Sequence, residues 1–150
     1  MQDKELRLII GDVEIKTWDS ASIDSAIDTP AESWSFALFS EEDLTLPDSV
    51  KAGAKVQAFY GDELILTSVA DAVNEACDRS GYGLKISGRD LVGQLIDCSV
   101  PIFNGRQVNL DVLLSKYVLD GELKSLFSNV KIQNDAWLKN KISVEPGESL

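Results

Sequence analysis

The sequence predicts a mainly β chain: a small antiparallel β-barrel, followed by the start of a smaller α+β domain. Three observations predict it. Two alternating apolar runs are each joined to a partner run by a two-residue Gly-Asp turn. Short strand-like segments separated by turn residues continue up to Gly88. Beyond Gly88 the apolar spacing lengthens to the helical period.

Residues 6–10 (Leu-Arg-Leu-Ile-Ile) form the first expected strand. After Gly11-Asp12, the residues Val13, Ile15 and Thr17 alternate with charged ones, the period-2 mark of a half-buried strand. Glycine supplies the positive φ that so short a hairpin loop demands. The device recurs where residues 55–60 lead through Gly61-Asp62 into residues 63–67. Ser22–Ile27 and Ser33–Phe39 are expected strands between the hairpins. Residues 40–53 carry Pro47 and Gly53 and read as a loop. Val69–Cys77 suits either a long strand or a short helix, and residues 83–87 make a strand entering Gly88.

Leu91, Val92, Leu95 and Ile96 then lie on one stripe of a short helix, capped by Ser87 or Asp90. After Pro101 and Gly105, Asn109 is a natural N-cap. Leu110, Leu113, Leu114, Tyr117 and Val118 form an apolar helical face that Gly121 ends. A further short helix is expected over Leu123–Ser128, and short strands over Val130–Ile132 and Lys141–Val144. Residues 146–150 resemble a turn entering another helix, which suggests a piece of a longer polypeptide. The expected division is a barrel domain over 1–102 and a partial α+β domain over 103–150 that continues past the chain end.

With 150 residues, 44% of them hydrophobic, the chain can bury one ordinary core. No apolar run approaches the ~20 residues that span a bilayer, so no membrane segment is expected. Met1-Gln2-Asp3-Lys4-Glu5 lacks the apolar stretch of a signal peptide, and cytoplasmic synthesis is the expectation. The net charge of −11 argues against stable nucleic-acid binding. The charge is uneven: residues 1–50 carry twelve acidic and three basic side chains, whereas residues 101–150 carry six of each.

There is no histidine, which excludes Ser-His-Asp and Cys-His nucleophilic chemistry and His-ligated metals within the chain. Cys77 and Cys98 form no C-x-x-C pair and read as two buried free thiols, with a disulfide as the alternative that only geometry decides. Neither a phosphate-binding nor a dinucleotide glycine motif occurs. Asp19, Asp24 and Asp28 lack the spacing of a calcium loop, and Glu41-Glu42-Asp43 reads as a solvated loop. No cofactor or metal is expected.

Two stretches carry a family resemblance. Residues 18–36 open with Trp18-Asp19-Ser20 and lead through a polar strand to Pro30-Ala31-Glu32-Ser33-Trp34-Ser35-Phe36. Residues 84–98 run from a strand through Gly88-Arg89-Asp90 to Leu95-Ile96-Asp97-Cys98. Together they resemble the first domain of Mu-type contractile phage tail baseplate hub proteins, almost throughout that domain. The second block is the more specific. The resemblance implies a β-barrel related to tail-tube subunits and a homotrimer in the full-length form. Each chain would give two barrels to a pseudo-sixfold ring that joins the tail-tube protein to the spike protein. It implies a virion structural protein of the tail baseplate, made in the host cytoplasm, and no enzyme. Acidic residues 1–50 would suit a channel that must not hold passing DNA, and equally an acidic outer surface.

Gly88, Arg89, Asp90 and Asp97 form the candidate structural motif. In one reading Arg89 anchors a neighbouring subunit. In the preferred one Gly88 permits a strand-to-helix turn, Asp90 caps the helix, and Arg89 braces locally to Asp90, Asp97 or a carbonyl. Trp18, Trp34 and Trp137 are candidates for an assembly surface. Core packing is the preferred account for Trp18 and Trp34, and Trp137 is the one expected to be exposed or to pack on a further domain. The strands Leu6–Ile10 and Ser33–Phe39 are the expected pairing edges. Two rivals remain: a monomeric β-barrel binding module, for instance for cell-wall carbohydrate, and a hydrolase using two carboxylates.

Overall fold

A computed structural model describes residues 5–26, 28–41, 45–99, 103–120, 122–127, 131–132 and 138–145. The chain divides into two compact units, residues 1–93 and 94–150.

The first unit is built from seven strands: β1 (Leu6–Ile10), β2 (Val13–Ile15), β3 (Ser20–Ile23), β4 (Ser33–Ser40), β5 (Lys55–Tyr60), β6 (Glu63–Asp78) and β7 (Gly81–Asp90). All join one antiparallel sheet in the order β2-β1-β5-β6-β7-β4-β3. Both Gly-Asp hairpins form, with Ile10 facing Val13 and Tyr60 facing Glu63. Gly11 and Gly61 take φ of 61° and 63°, while Asp12 and Asp62 stay at negative φ. A positive φ at the first loop residue alone defines a type II′ turn, whose twist matches the strands it joins. Gly11 is constrained a second way, since a Cβ there would lie 2.9 Å from the Ser49 carbonyl oxygen.

Alternation then sorts the side chains. Leu8 and Ile10, Trp34 and Phe36, Val56 and Ala58, and Tyr82, Leu84 and Ile86 are buried, each two residues apart. They form one cluster, against which Ile15, Trp18 and Ile23 pack.

The connectivity bends the sheet. Laid flat, seven strands at about 4.8 Å spacing would hold the outermost pair about 29 Å apart. Those outermost strands are β2 and β3, and only residues 16–19 join them. Five extended residue steps reach at most about 18 Å. The sheet must therefore curl, and it forms an open, barrel-like half-cylinder around the core. Leu6–Ile10 and Ser33–Phe39, expected as edges, are both interior: β1 lies between β2 and β5, and β4 between β3 and β7. Local pattern identified the hairpins but not the long-range pairings that cover these strands.

The stretch from Val69 to Cys77 is strand, part of β6. β6 carries one irregularity opposite Ala58/Phe59 and another at Ala70/Ala72, and each bulge sharpens the local twist. The expected strand Ser22–Ile27 is β3, shifted to Ser20–Ile23. The helix α1 (Leu91–Asp97) follows β7 directly and crosses the boundary between the units.

The second unit pairs β8 (Phe103–Asn109) with β9 (Leu138–Val144). Between them lies α2 (Leu110–Leu114), capped by Asn109, whose side chain accepts from the Val112 N–H at 3.0 Å. Ser115–Leu119 continues as a π-helical turn, and Glu122–Ser125 is a 3₁₀ turn. Val118 is buried, but Leu110, expected on the core face, is 36% exposed. Lys131 and Ile132 lie outside any strand. Gly121, Val130, Trp137 and residues 146–150 fall outside the described residues.

Candidate assembly surface

Trp34, Gly88, Arg89 and Asp90, four of the residues singled out in sequence, meet where β4, β6 and β7 run side by side. Trp34 on β4 stands opposite Gly88 on β7, and Ser33 opposite Arg89. The Trp34 indole N–H donates to the Ser68 hydroxyl at 2.8 Å and lies 3.2 Å from the Arg89 carbonyl oxygen. Ser68, itself buried, donates to that same carbonyl. Trp34 is only 2% exposed, so its place in the candidate assembly surface is corrected: it is buried, and its polar atom is bonded inside the domain.

Gly88 serves this packing and not a turn. It lies within β7, and a Cβ there would come within 2.7 Å of both Trp34 Cζ2 and the Val69 carbonyl oxygen. Asp90 caps α1, accepting from the Val92 N–H at 2.9 Å and the Gly93 N–H at 3.3 Å. The Arg89 Nε donates to Asp71 at 3.0 Å, which gives it a carboxylate partner on β6. Asp97 is an exposed residue at the end of α1. Ser68 and Asp71 complete the joint. Neither was marked by sequence, because each is tied to it only by pairing between distant strands.

Trp18, on the link between β2 and β3, packs edge-on against Phe36 at 4.9 Å and is partly buried. Its indole nitrogen is buried and has no partner among the described residues. Trp137 lies outside the described residues.

A row of hydroxyls crosses the outer sheet face: Ser22 stands opposite Ser35, and Ser35 opposite Ser87. With Ser33, Lys85 and Arg89 they line an open groove of about 340 Å³. Phe39, Tyr60, Leu64 and Ile65 are exposed apolar side chains on the strands around the sheet. Leu64 and Ile65 both face solvent because the bulge opposite Ala58/Phe59 breaks the alternation there.

Two described carboxylates, Glu14 and Asp78, have their ionisation moved, both downward. Desolvation pushes the Glu14 carboxyl up, but bonds from Arg7 and Lys16 outweigh it and hold it below its ordinary value. The Ser80 hydroxyl and N–H hold Asp78 low as well. A general acid needs the opposite shift. Tyr82 is raised to about 12, first by burial and then by its bond to Glu75. Among the described residues no group of three or more Cys, Asp or Glu side chains is placed to hold a metal ion. Both cysteines are free, and Cys77 is exposed, contrary to the expectation of two buried thiols. No helix among the described residues is long and apolar enough to cross a membrane.

Comparison with known proteins adds the following. Residues 5–90 match the family model described as Mu phage baseplate assembly protein GpP-like, N-terminal. The tail protein from Neisseria meningitidis MC58 superposes with a TM-score of 0.71 at 25% identity, covering 97% of this chain and 42% of that one. The 43 kDa tail protein of prophage MuSo2 from Shewanella oneidensis gives a TM-score of 0.84 at 19% identity, covering 99% of this chain and 48% of that one. The second likeness speaks to fold alone. This chain thus spans less than half the length of either tail protein. No curated protein matches the chain.

Proposed function

Because this chain belongs to the Mu phage baseplate assembly protein GpP-like family through its N-terminal domain, we propose that it supplies the first barrel of a baseplate hub. In this reading the full-length protein forms a homotrimeric ring that joins the tail-tube protein above to the spike protein below. The family match over 5–90 carries the proposal, and that span contains the whole seven-stranded sheet. The mechanism is geometric. A curled sheet of fixed strand number sets the width of each barrel, and repetition around an axis sets the diameter offered to the tube. Such a role needs no catalytic group, cofactor or metal, and the proposal is of a structural protein of the virion tail, made in the host cytoplasm.

The acidic balance of residues 1–50 supports this reading, because a channel lined by like charge repels passing DNA. The test is the particle formed by the full-length gene product, measured by light scattering across concentrations and two salt levels and by particle imaging. A threefold mass with ring-shaped particles is expected. A monomer at every concentration would overturn the ring and return the binding-module rival, to be tested by a cell-wall carbohydrate screen.

A further inference from the structure

A short helix has too few turns to be stable alone and stays in place by burying an apolar face. The helix α1 buries little of one. Val92 and Ile96 are exposed, and Leu91 and Leu95 are only half-buried. Its buried residue is Gly93, which has no side chain to bury. The Arg89 side chain runs alongside that glycine: a Cβ at Gly93 would lie 3.0 Å from Arg89 Cβ and 3.5 Å from its Nε and Cζ. A larger residue at position 93 would meet the arginine.

Both ends of that arginine are fixed. At its root, the Arg89 carbonyl accepts from the Trp34 indole and the Ser68 hydroxyl inside the core. At its tip, the Nε donates to Asp71 at 3.0 Å. Asp71 is the extra residue at the β6 irregularity between Ala70 and Ala72. A bulge re-aims a side chain, and here the carboxylate meets an arginine on the neighbouring strand. The arginine thus passes the first turn of α1 on its way from β7 to β6.

We infer that the Arg89 side chain is a strap across the first turn of α1, fastened by Asp71, and that rising ionic strength loosens it while the sheet stays closed. The two side chains are 34% and 33% exposed, so dissolved ions reach and screen the pair. The cluster from Leu8 to Ile86 is apolar and offers salt no such target. An element with few buried apolar contacts opens at a fraction of the global unfolding cost, and α1 is such an element. The sign of the salt effect separates the strap from the chain as a whole. At a net charge of −11, screening relieves self-repulsion and tightens the fold. At the strap it does the reverse. The device acts on the segment by which the chain leaves the sheet, and it stands apart from the hub reading.

The experiment is hydrogen exchange of single backbone amides, followed by NMR on the 150-residue chain at low salt and at roughly 0.5 M sodium chloride, where the screening length is only a few ångströms. The reporters are Leu95, Ile96 and Cys98, the last of which donates to the Gln94 carbonyl at 3.2 Å. Salt should speed their exchange about two- to fivefold, the range for a partly exposed pair. Ile86 in β7 and Val118 in the second unit should not speed up. Asp71→Asn keeps the shape and removes the charge, so it should give the faster α1 exchange at both salt levels. If it disturbs the bulge, seen as faster exchange at Ile86, Arg89→Gln breaks the same pair and spares the carbonyl bonds at residue 89. Gly93→Ala reads the strap independently. Alanine favours a helix interior over glycine by about fivefold, so an unstrapped α1 would exchange more slowly. With the strap in place the added Cβ displaces it, and exchange should quicken. Exchange in α1 that does not quicken with salt, a quickening shared by Ile86 or Val118, or slower exchange in Gly93→Ala would each overturn the inference.

Discussion

Two indoles in one core meet opposite fates. The Trp34 N–H has the Ser68 hydroxyl and the Arg89 carbonyl within reach, while the Trp18 N–H is buried without an acceptor among the described residues. An unpaired buried donor carries its full desolvation cost, and deleting it is nearly free. Trp34→Phe should therefore destabilise by about 1–3 kcal/mol, whereas Trp18→Phe should stay within about 1 kcal/mol of the parent or stabilise it slightly. Urea denaturation of both variants checks the contrast, and equal losses would mean that Trp18 has an acceptor. Sequence marked both tryptophans but could not separate them. Burial of Trp34 rests on Ser68, thirty-four residues away in the chain, and a serine in an apolar run carries no sign of such a partner.

At the scale of elements, what was legible was local. The two Gly-Asp hairpins, the Asn109 cap and the Asp90 cap each lie within a few residues, where turn chemistry and side-chain reach determine the outcome. The edges were misplaced because the β1–β5 and β4–β7 pairings join segments more than forty residues apart. Gly88 shows the same division. Its place before a helix suggested a turn, but its backbone is ordinary strand, and its missing Cβ makes room for Trp34. Gly88→Ala should thus cost about 1–3 kcal/mol by overpacking. Adding Trp34→Phe should recover part of that loss, since the smaller ring frees the space. Thermal melts of the two single variants and the double variant measure this. Strict additivity would show that the crowding at Gly88 comes from the Val69 carbonyl and not from the ring.

At the scale of the whole molecule, stability should be unevenly shared between the two units. The main buried cluster runs from Leu8 to Ile86 and draws every member from the first unit. In the second unit the buried hydrophobics among the described residues are Val108, Val118 and Leu123, beside a two-stranded sheet. Two strands with so little buried surface are marginal by themselves. A chain built this way should unfold in two steps, with the second unit opening at lower temperature. A fragment ending after Asp97, which keeps α1 complete, should retain the upper transition within a few degrees. Calorimetry of the full chain and the fragment provides the check. One shared transition, lost from the fragment, would show that the first unit depends on residues beyond 97. The match to the baseplate family covers 5–90, inside the unit with the continuous core. The part of the chain that carries the family likeness should therefore also be the part that folds unaided.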